Sequence, residues 1–74
     1  MDRKYNPNDF EYPLNEYMEE AYKAVSLKNK ALVNVAAAKI HMSVKLAVKD
    51  GTMSANKGGE IKDYFWELYA DIWL

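Results

Sequence analysis

The sequence predicts an all-α protein, a small three-helix bundle preceded by an irregular N-terminal arm. Apolar residues recur at three- and four-residue spacings in three segments, and the β-branched residues fall inside these helical patterns. Gly and Pro lie only at the ends of the segments or between them. With 74 residues and no Cys, residues 1–74 are expected to form a single small helical domain without disulfides. A domain this short is only marginally stable by itself, so a partner is a natural source of further burial.

The arm covers residues 1–12, and helix 1 is predicted at about residues 13–25. Pro13 suits the first turn of a helix, and the acidic residues that follow it lie where the helix dipole favours negative charge. Phe10 and Tyr12 are expected to fold back from the arm onto a helix. One apolar stripe has the helical period, and it consists of Leu14, Tyr17, Met18, Ala21 and Val25.

Helix 2 is predicted at about residues 27–49 and is apolar on two faces. The broader face carries Leu32, Val33, Ala36, Ala37, Ile40, Val44, Ala47 and Val48. The narrower face, which we name the Met42 strip, consists of Ala31, Val35, Ala38, Met42 and Leu46. A helix with two apolar faces is usually packed on both sides, so helix 2 is expected to be central and to be touched on both. Gly51 suits the left-handed position that ends such a helix.

Two interpretations of the join between helices 1 and 2 stay open. Their apolar residues continue in phase, so one unbroken helix from Pro13 to Lys49 would be roughly 55 Å long and would need an intertwined dimer. Alternatively, the chain breaks near residues 26–30 and Ser26 caps a new helix. The sequence favours the break, because the long helix does not fit a compact monomer of this size.

Helix 3 is predicted at about residues 60–74, after a polar loop from Thr52 to Gly59. Its core stripe consists of Ile61, Phe65, Leu68 and Ile72. A second face is acidic and carries Glu60, Asp63, Glu67 and Asp71. A third face, beside the core stripe, is aromatic and carries Trp66, Tyr69 and Trp73.

Charge is divided unevenly along the chain, although the formal net charge is only -1. Residues 1–20 sum to -4, residues 21–49 to +6 without a single acid, and residues 50–74 to -3. The favoured interpretation is that the acids of helices 1 and 3 pair with the lysines of helix 2 and help select the topology. The alternative is a surface for nucleic-acid phosphates or an acidic partner, formed by Lys28, Lys30, Lys39, Lys45 and Lys49.

The sequence has few residues suited to catalysis or metal binding, so it does not predict an enzyme. His41 is the only imidazole, and no nucleophile or orienting carboxylate accompanies it at a recognisable spacing. The paired acids of helices 1 and 3 lack a Glu-x-x-His pattern, so no metal site is expected. The Gly-containing loop before helix 3 lacks the Walker spacing for nucleotide phosphates. No cofactor and no small-molecule substrate are expected.

The aromatic content points to protein binding as the function. Ten of the 74 residues are aromatic, and a small monomer cannot readily bury both the core stripe and the aromatic face of helix 3. Either the N-terminal arm covers that aromatic face, or the face is an interface, since Trp and Tyr are preferred anchors of protein contacts. The sequence favours the interface. The predicted partner-binding residues are Trp66, Tyr69 and Trp73 as anchors, with Tyr64 and Leu74 at the rim.

We therefore expect a small helical protein-binding module, such as an adaptor, an inhibitor or a regulatory accessory protein. Its size suits a gene of a phage or mobile element, and its partner is a foreign protein or a second copy in a homodimer or larger oligomer. A nucleic-acid-binding regulator that uses the lysines of helix 2, as a dimer, is the alternative. The start of the chain does not resemble a signal peptide, and the stretch Ala31–Val44 is too short to span a bilayer, so a cytoplasmic protein without membrane contact is expected.

Overall fold

Three α-helices make up most of the computed structural model, which describes residues 3–71. They are α1 (Leu14–Ser26), α2 (Lys30–Asp50) and α3 (Ala55–Asp71), and a short 3-10 turn at Pro7–Asp9 precedes them. Residues 3–71 contain no strand, and the predicted all-α three-helix fold is confirmed. Helix α2 packs extensively against both α1 and α3, whereas α1 and α3 contact each other little.

The join between α1 and α2 is a tight turn at residues 27–29, so the predicted break is confirmed and the unbroken helix is wrong. Lys28 adopts the left-handed conformation, with φ 53°. The N–H of Asn29 donates to the carbonyl of Ala24 at 3.0 Å, which is the bond that closes a Schellman motif. The Asn29 side chain then caps α2 by accepting from the N–H of Leu32 at 3.1 Å. Ser26, the cap expected from the sequence, instead donates to carbonyls of its own helix.

The connection between α2 and α3 is shorter than the sequence predicts. Gly51 ends α2 in the left-handed conformation, with φ 82°, as expected. The loop predicted to reach Gly59 ends at Ser54, whose hydroxyl accepts from the N–H of Lys57 at 3.1 Å and so caps α3. Helix α3 therefore contains the pair Gly58-Gly59, which the sequence interpretation had placed in the loop.

Packing explains why a glycine is tolerated inside α3. An added Cβ on Gly58 would lie 2.7 Å from Cγ2 of Val48 and 2.9 Å from Cγ1 of Val44. The missing side chain lets the backbone of α3 approach α2 at this level. Gly59 has no such neighbour, since nothing lies within 4 Å of its added Cβ.

The core combines small residues at the helix contacts with large side chains in the centre. Ala21 and Ala24 of α1 and Ala36 and Ala37 of α2 are buried, and their size allows these helices to lie close together. The largest fully buried side chains are Tyr22, Phe65, Met18, Ile40, Ile61 and Val33. Each predicted stripe thus contributes to one core, with Ile61, Phe65 and Leu68 buried in α3.

The N-terminal arm closes the bundle through tyrosines. The Tyr22 hydroxyl donates to the carbonyl of Tyr5 at 2.8 Å, and the N–H of Lys4 donates to the Tyr64 hydroxyl at 3.2 Å. The Tyr5 ring lies 5.4 Å from the Tyr64 ring in an edge-on contact. Phe10 also packs against the core, as predicted. Tyr12, in contrast, is 73% exposed, so the expectation that it packs onto a helix is wrong.

Burial raises the pKa of the Tyr22 phenol well above its ordinary value of 10.0, and the neighbouring Tyr64 adds to the shift. The hydrogen bond to Tyr5 and the charge of Arg3 oppose it without reversing it. Because the folded state holds this proton more tightly than the unfolded state, the neutral phenol stabilises the fold fully below pH 10. That contribution is lost as the pH rises above this value.

We predict opposite effects for alanine at the two glycines of α3. Gly58→Ala should lower the free energy of unfolding by about 1–3 kcal/mol, because the new methyl overlaps Val44 and Val48. Gly59→Ala, the matched control, should raise it by up to about 1 kcal/mol, because alanine favours the helix and meets no obstacle. Urea unfolding followed by circular dichroism measures both. Equal effects of the two substitutions would contradict the close approach at Gly58.

We also predict that Tyr22 makes stability depend on alkaline pH. The free energy of unfolding of the wild type should fall as the pH rises from about 9 to about 11. The fall should be smaller in Tyr22→Phe, because phenylalanine has no proton to lose. Tyr12→Phe, which changes an exposed tyrosine, serves as the control and should keep the wild-type slope. Urea titrations at a series of pH values give the slopes, and identical slopes for wild type and Tyr22→Phe would refute the assignment.

Candidate functional site

The Met42 strip faces solvent along the outer side of α2. Met42 is 66% exposed, Leu46 58% and Val35 49%, and the alanines of the strip are exposed as well. The expectation that helix 2 is covered on both sides is therefore wrong within the described residues. Helices α1 and α3 both pack on the broader apolar face, which contains the buried Val33 and Ile40.

Exposed apolar side chains are concentrated on α2 and the turn before it, with Leu32 of the broader face exposed beside the strip. Among residues 3–71, six large apolar side chains are exposed, and five of them belong to α2 or to the turn before it. These five are Leu27, Leu32, Val35, Met42 and Leu46. Such side chains are ordinary when they are scattered, but a contiguous apolar face rimmed by polar residues is typical of an interaction site.

Shallow grooves extend the Met42 strip at both ends. Near its start, a groove of about 290 Å³ between α1 and α2 is lined by Leu27, Leu32 and Val35, with Lys39 at its edge. Near its end, Leu46 contributes to a hollow of about 710 Å³ beside the N-terminal arm. The groove at the start of the strip has several apolar side chains, whereas the hollow at its end is mixed and includes Asp9, Glu11 and Asp50.

Lysines border the strip. On the helix surface Lys39 lies on one side of the strip, Lys45 on the other, and Lys49 at its C-terminal end. Lys39 forms an exposed ion pair with Glu20 at 3.4 Å. Within the described residues, no ion pair involves Lys45 or Lys49. Internal pairing of acids with the α2 lysines, the favoured interpretation of the charge pattern, is thus seen for Lys39 but not for Lys45 or Lys49.

The other two predicted lysines lie at the start of α2. Lys28 is exposed in the left-handed turn, and Lys30 is half-buried in the first turn of the helix. They are therefore separated along the helix from Lys45 and Lys49, and the five predicted lysines do not form one compact patch.

The aromatic residues of α3 are divided between two sides of the helix. Trp66 and Tyr69 are half-buried and meet edge-on, with ring centroids 6.0 Å apart. Tyr64 lies on the other side of α3, where its ring contacts Tyr5 and Phe65. The structure therefore does not bring Tyr64 to the rim of the Trp66 face. The predicted anchor Trp73 and the predicted rim residue Leu74 lie outside the described residues.

A second, cationic groove lies between α2 and α3. It has a volume of about 300 Å³, and the ionisable residues lining it are His41, Lys45 and Lys62. Gly58 and Gly59 form part of its wall, so the close approach of the helices shapes it. Sequence reasoning did not single out Lys62. The available signal was its position one helical turn before Trp66 on the same face of helix 3.

The described part of the chain contains no candidate metal-binding cluster. No three His, Asp or Glu side chains among residues 3–71 are grouped so that they could hold a metal ion. By length and composition alone, α2 could cross a membrane, a criterion that core helices of soluble proteins also meet. The stretch Ala31–Val44, which the sequence predicts to be too short to span a bilayer, is only part of this helix of 21 residues.

No protein-family model, curated protein or solved structure matches this chain. The fold and the surface are therefore the basis for any assignment of function.

We predict that the Met42 strip contributes almost nothing to folding. Met42→Gln should change the free energy of unfolding by less than about 0.5 kcal/mol, because the side chain is exposed. Ile40→Ala, two residues earlier on the buried face, should cost about 2–5 kcal/mol. Urea unfolding at low protein concentration measures both. A comparable loss in the two variants would mean that the strip is covered.

Proposed function

We propose that this protein is a helical protein-binding module that captures a partner on the Met42 strip. The observation that supports the proposal is the concentration of exposed apolar side chains on one face of α2. The module acts by occupying its partner's surface, as an adaptor, inhibitor or regulatory accessory protein does, and needs no catalytic group.

The energetics of burial favour this role. Covering a fully exposed Leu, Val or Met side chain contributes about 1.5–3 kcal/mol, and the strip and its neighbours offer several that are about half exposed. These residues sit on a 21-residue helix whose opposite face is anchored in the core. The surface is therefore held in shape before binding, which reduces the entropy that association must overcome.

This proposal moves the binding face from helix 3 to helix 2. Trp66 and Tyr69 are half-buried, so they offer less new burial than Met42 does. The aromatic face of helix 3 stays a prediction, as does nucleic-acid binding through the lysines of α2. The groove with Lys45 and Lys62 is compatible with phosphate contacts, but it contains no Arg for base recognition.

Selection from a random-peptide display library tests the proposal. Peptides selected on the wild type should bind Met42→Glu at least about tenfold more weakly, because a carboxylate in the apolar contact loses solvation. Asn56→Glu, which adds a carboxylate at an exposed position of α3 that lines neither groove of the strip, should bind as well as the wild type. Circular dichroism establishes that both variants are folded.

Two results would overturn the proposal. One is a selection in which every isolated peptide binds Met42→Glu and Leu46→Glu as tightly as the wild type. The other is peptide binding that is lost in Trp66→Leu and kept in Met42→Glu. That result would mean that the interface is the aromatic face of helix 3.

A further inference from the structure

We infer that the partner segment seated on the Met42 strip is an amphipathic helix whose apolar stripe is bordered by Asp and Glu. This inference rests on the proposed function and specifies the chemistry of the partner. Three features of the structure support it: the spacing of the strip, the charge around it, and the lack of a matching face on the chain itself.

The spacing of the strip is that of a helix–helix seam. Ala31, Val35, Ala38 and Met42 follow one another at intervals of four, three and four residues, which is the repeat that two packed helices share. Leu46 extends the seam by a further turn. Ala31 and Ala38 are small and recur after seven residues, so a partner helix can approach closely between the larger side chains. From Ala31 to Leu46 the seam is roughly 22 Å long, which is about four turns of a partner helix.

Along the seam itself the charged side chains of α2 are all basic, whereas Asp9, Glu11 and Asp50 line the hollow at its C-terminal end. Residues 30–49 contain no carboxylate, and Lys39, Lys45 and Lys49 border the strip. The ion pair of Lys39 with Glu20 is exposed at both side chains, so it is weak and can be exchanged for another carboxylate. A partner with acids beside its apolar stripe would pair with this border, whereas a basic partner would be repelled.

A second copy of the chain does not offer the complementary face within the described residues. Pairing two Met42 strips would set lysines against lysines. On α1 and α3 the exposed acids are Glu16, Glu19, Glu20, Glu60, Asp63 and Glu67, and neither helix carries an exposed large apolar side chain among the described residues. Asp9, Glu11 and Asp50 are exposed as well, but the first two lie outside α1–α3 and Asp50 ends α2 itself, so they do not border an apolar face of another helix. The occupant is therefore a different protein.

Binding of two designed peptides tests the inference. Each is a fluorescein-labelled helix of about 21 residues with Leu and Ala at the seam positions, and the flanking positions are Glu in one and Lys in the other. In about 50 mM NaCl, fluorescence anisotropy should show the Glu-flanked peptide binding at least about tenfold more tightly than the Lys-flanked one. The ratio should shrink in about 300 mM NaCl, where the charges are screened.

Substitutions in the protein show which lysines cause the preference for the Glu-flanked peptide. Lys45→Glu should weaken binding of the Glu-flanked peptide about fivefold or more, because it puts an acid on the border of the strip. Lys4→Glu makes the same change of charge in the N-terminal arm, where Lys4 lies over the Tyr5 ring, and should leave the affinity within about twofold. Met42→Glu should abolish binding of either peptide. Equal effects of Lys45→Glu and Lys4→Glu would overturn the inference, since only net charge would then matter.

The remaining outcomes separate the inference from the proposed function. If the Lys-flanked peptide binds as well as the Glu-flanked one, or if library peptides bind the strip and the Glu-flanked helix does not, the inference fails while protein binding stands. Met42-dependent binding to vesicles of anionic phospholipid, without peptide binding, would identify a membrane as the occupant and overturn both. A Met42-dependent dimer in analytical ultracentrifugation would identify a second copy and overturn the inference alone.

Discussion

Helix α2 has two apolar faces, and a bundle of three helices can bury only one of them. Helices α1 and α3 both pack on the face that contains Val33, Ile40 and Val44, because this face is the broader one and its alanines let the helices approach closely. The opposite face then has no helix left to cover it, and Met42 and Leu46 stay in solvent. The exposed strip is thus a consequence of the number of helices, and the proposed binding face follows from the same constraint.

The covered face of α2 is held by close packing rather than by charge. Small residues on the two neighbouring helices set their distances to α2. They are Ala21 and Ala24 on α1 and Gly58 on α3. Tyr5 of the arm then covers one side of the bundle, where its carbonyl accepts a hydrogen bond from the Tyr22 hydroxyl of α1. The ion pairs are exposed and add little. Lys45 and Lys49 take part in no ion pair within the described residues, so packing rather than these charges accounts for the arrangement of the helices.

Periodicity was enough to predict the three helices and the buried stripes, because a helix interior repeats its apolar residues regardless of what covers them. Periodicity failed to predict the structure where a residue occupies a backbone position that its type seldom takes. Lys28 takes a left-handed position that glycine normally fills, so the sequence does not reveal that Asn29 rather than Ser26 caps α2. Gly58 serves helix packing, whereas a pair of glycines is typical of a loop. The strip itself was found from sequence, whereas its exposure depended on tertiary contacts that one chain's periodicity does not encode.

The position of Met42 also determines how the protein responds to oxidants. Its thioether is open to solvent, whereas Met18 is fully buried in the core. Oxidation to the sulfoxide would therefore convert the middle of the strip into a polar, chiral group and leave the interior intact. A sample could keep its full helical signal and stability and yet have lost the apolar character of this surface. Mass spectrometry detects whether the Met42 sulfur is oxidised, whereas circular dichroism of the helices does not.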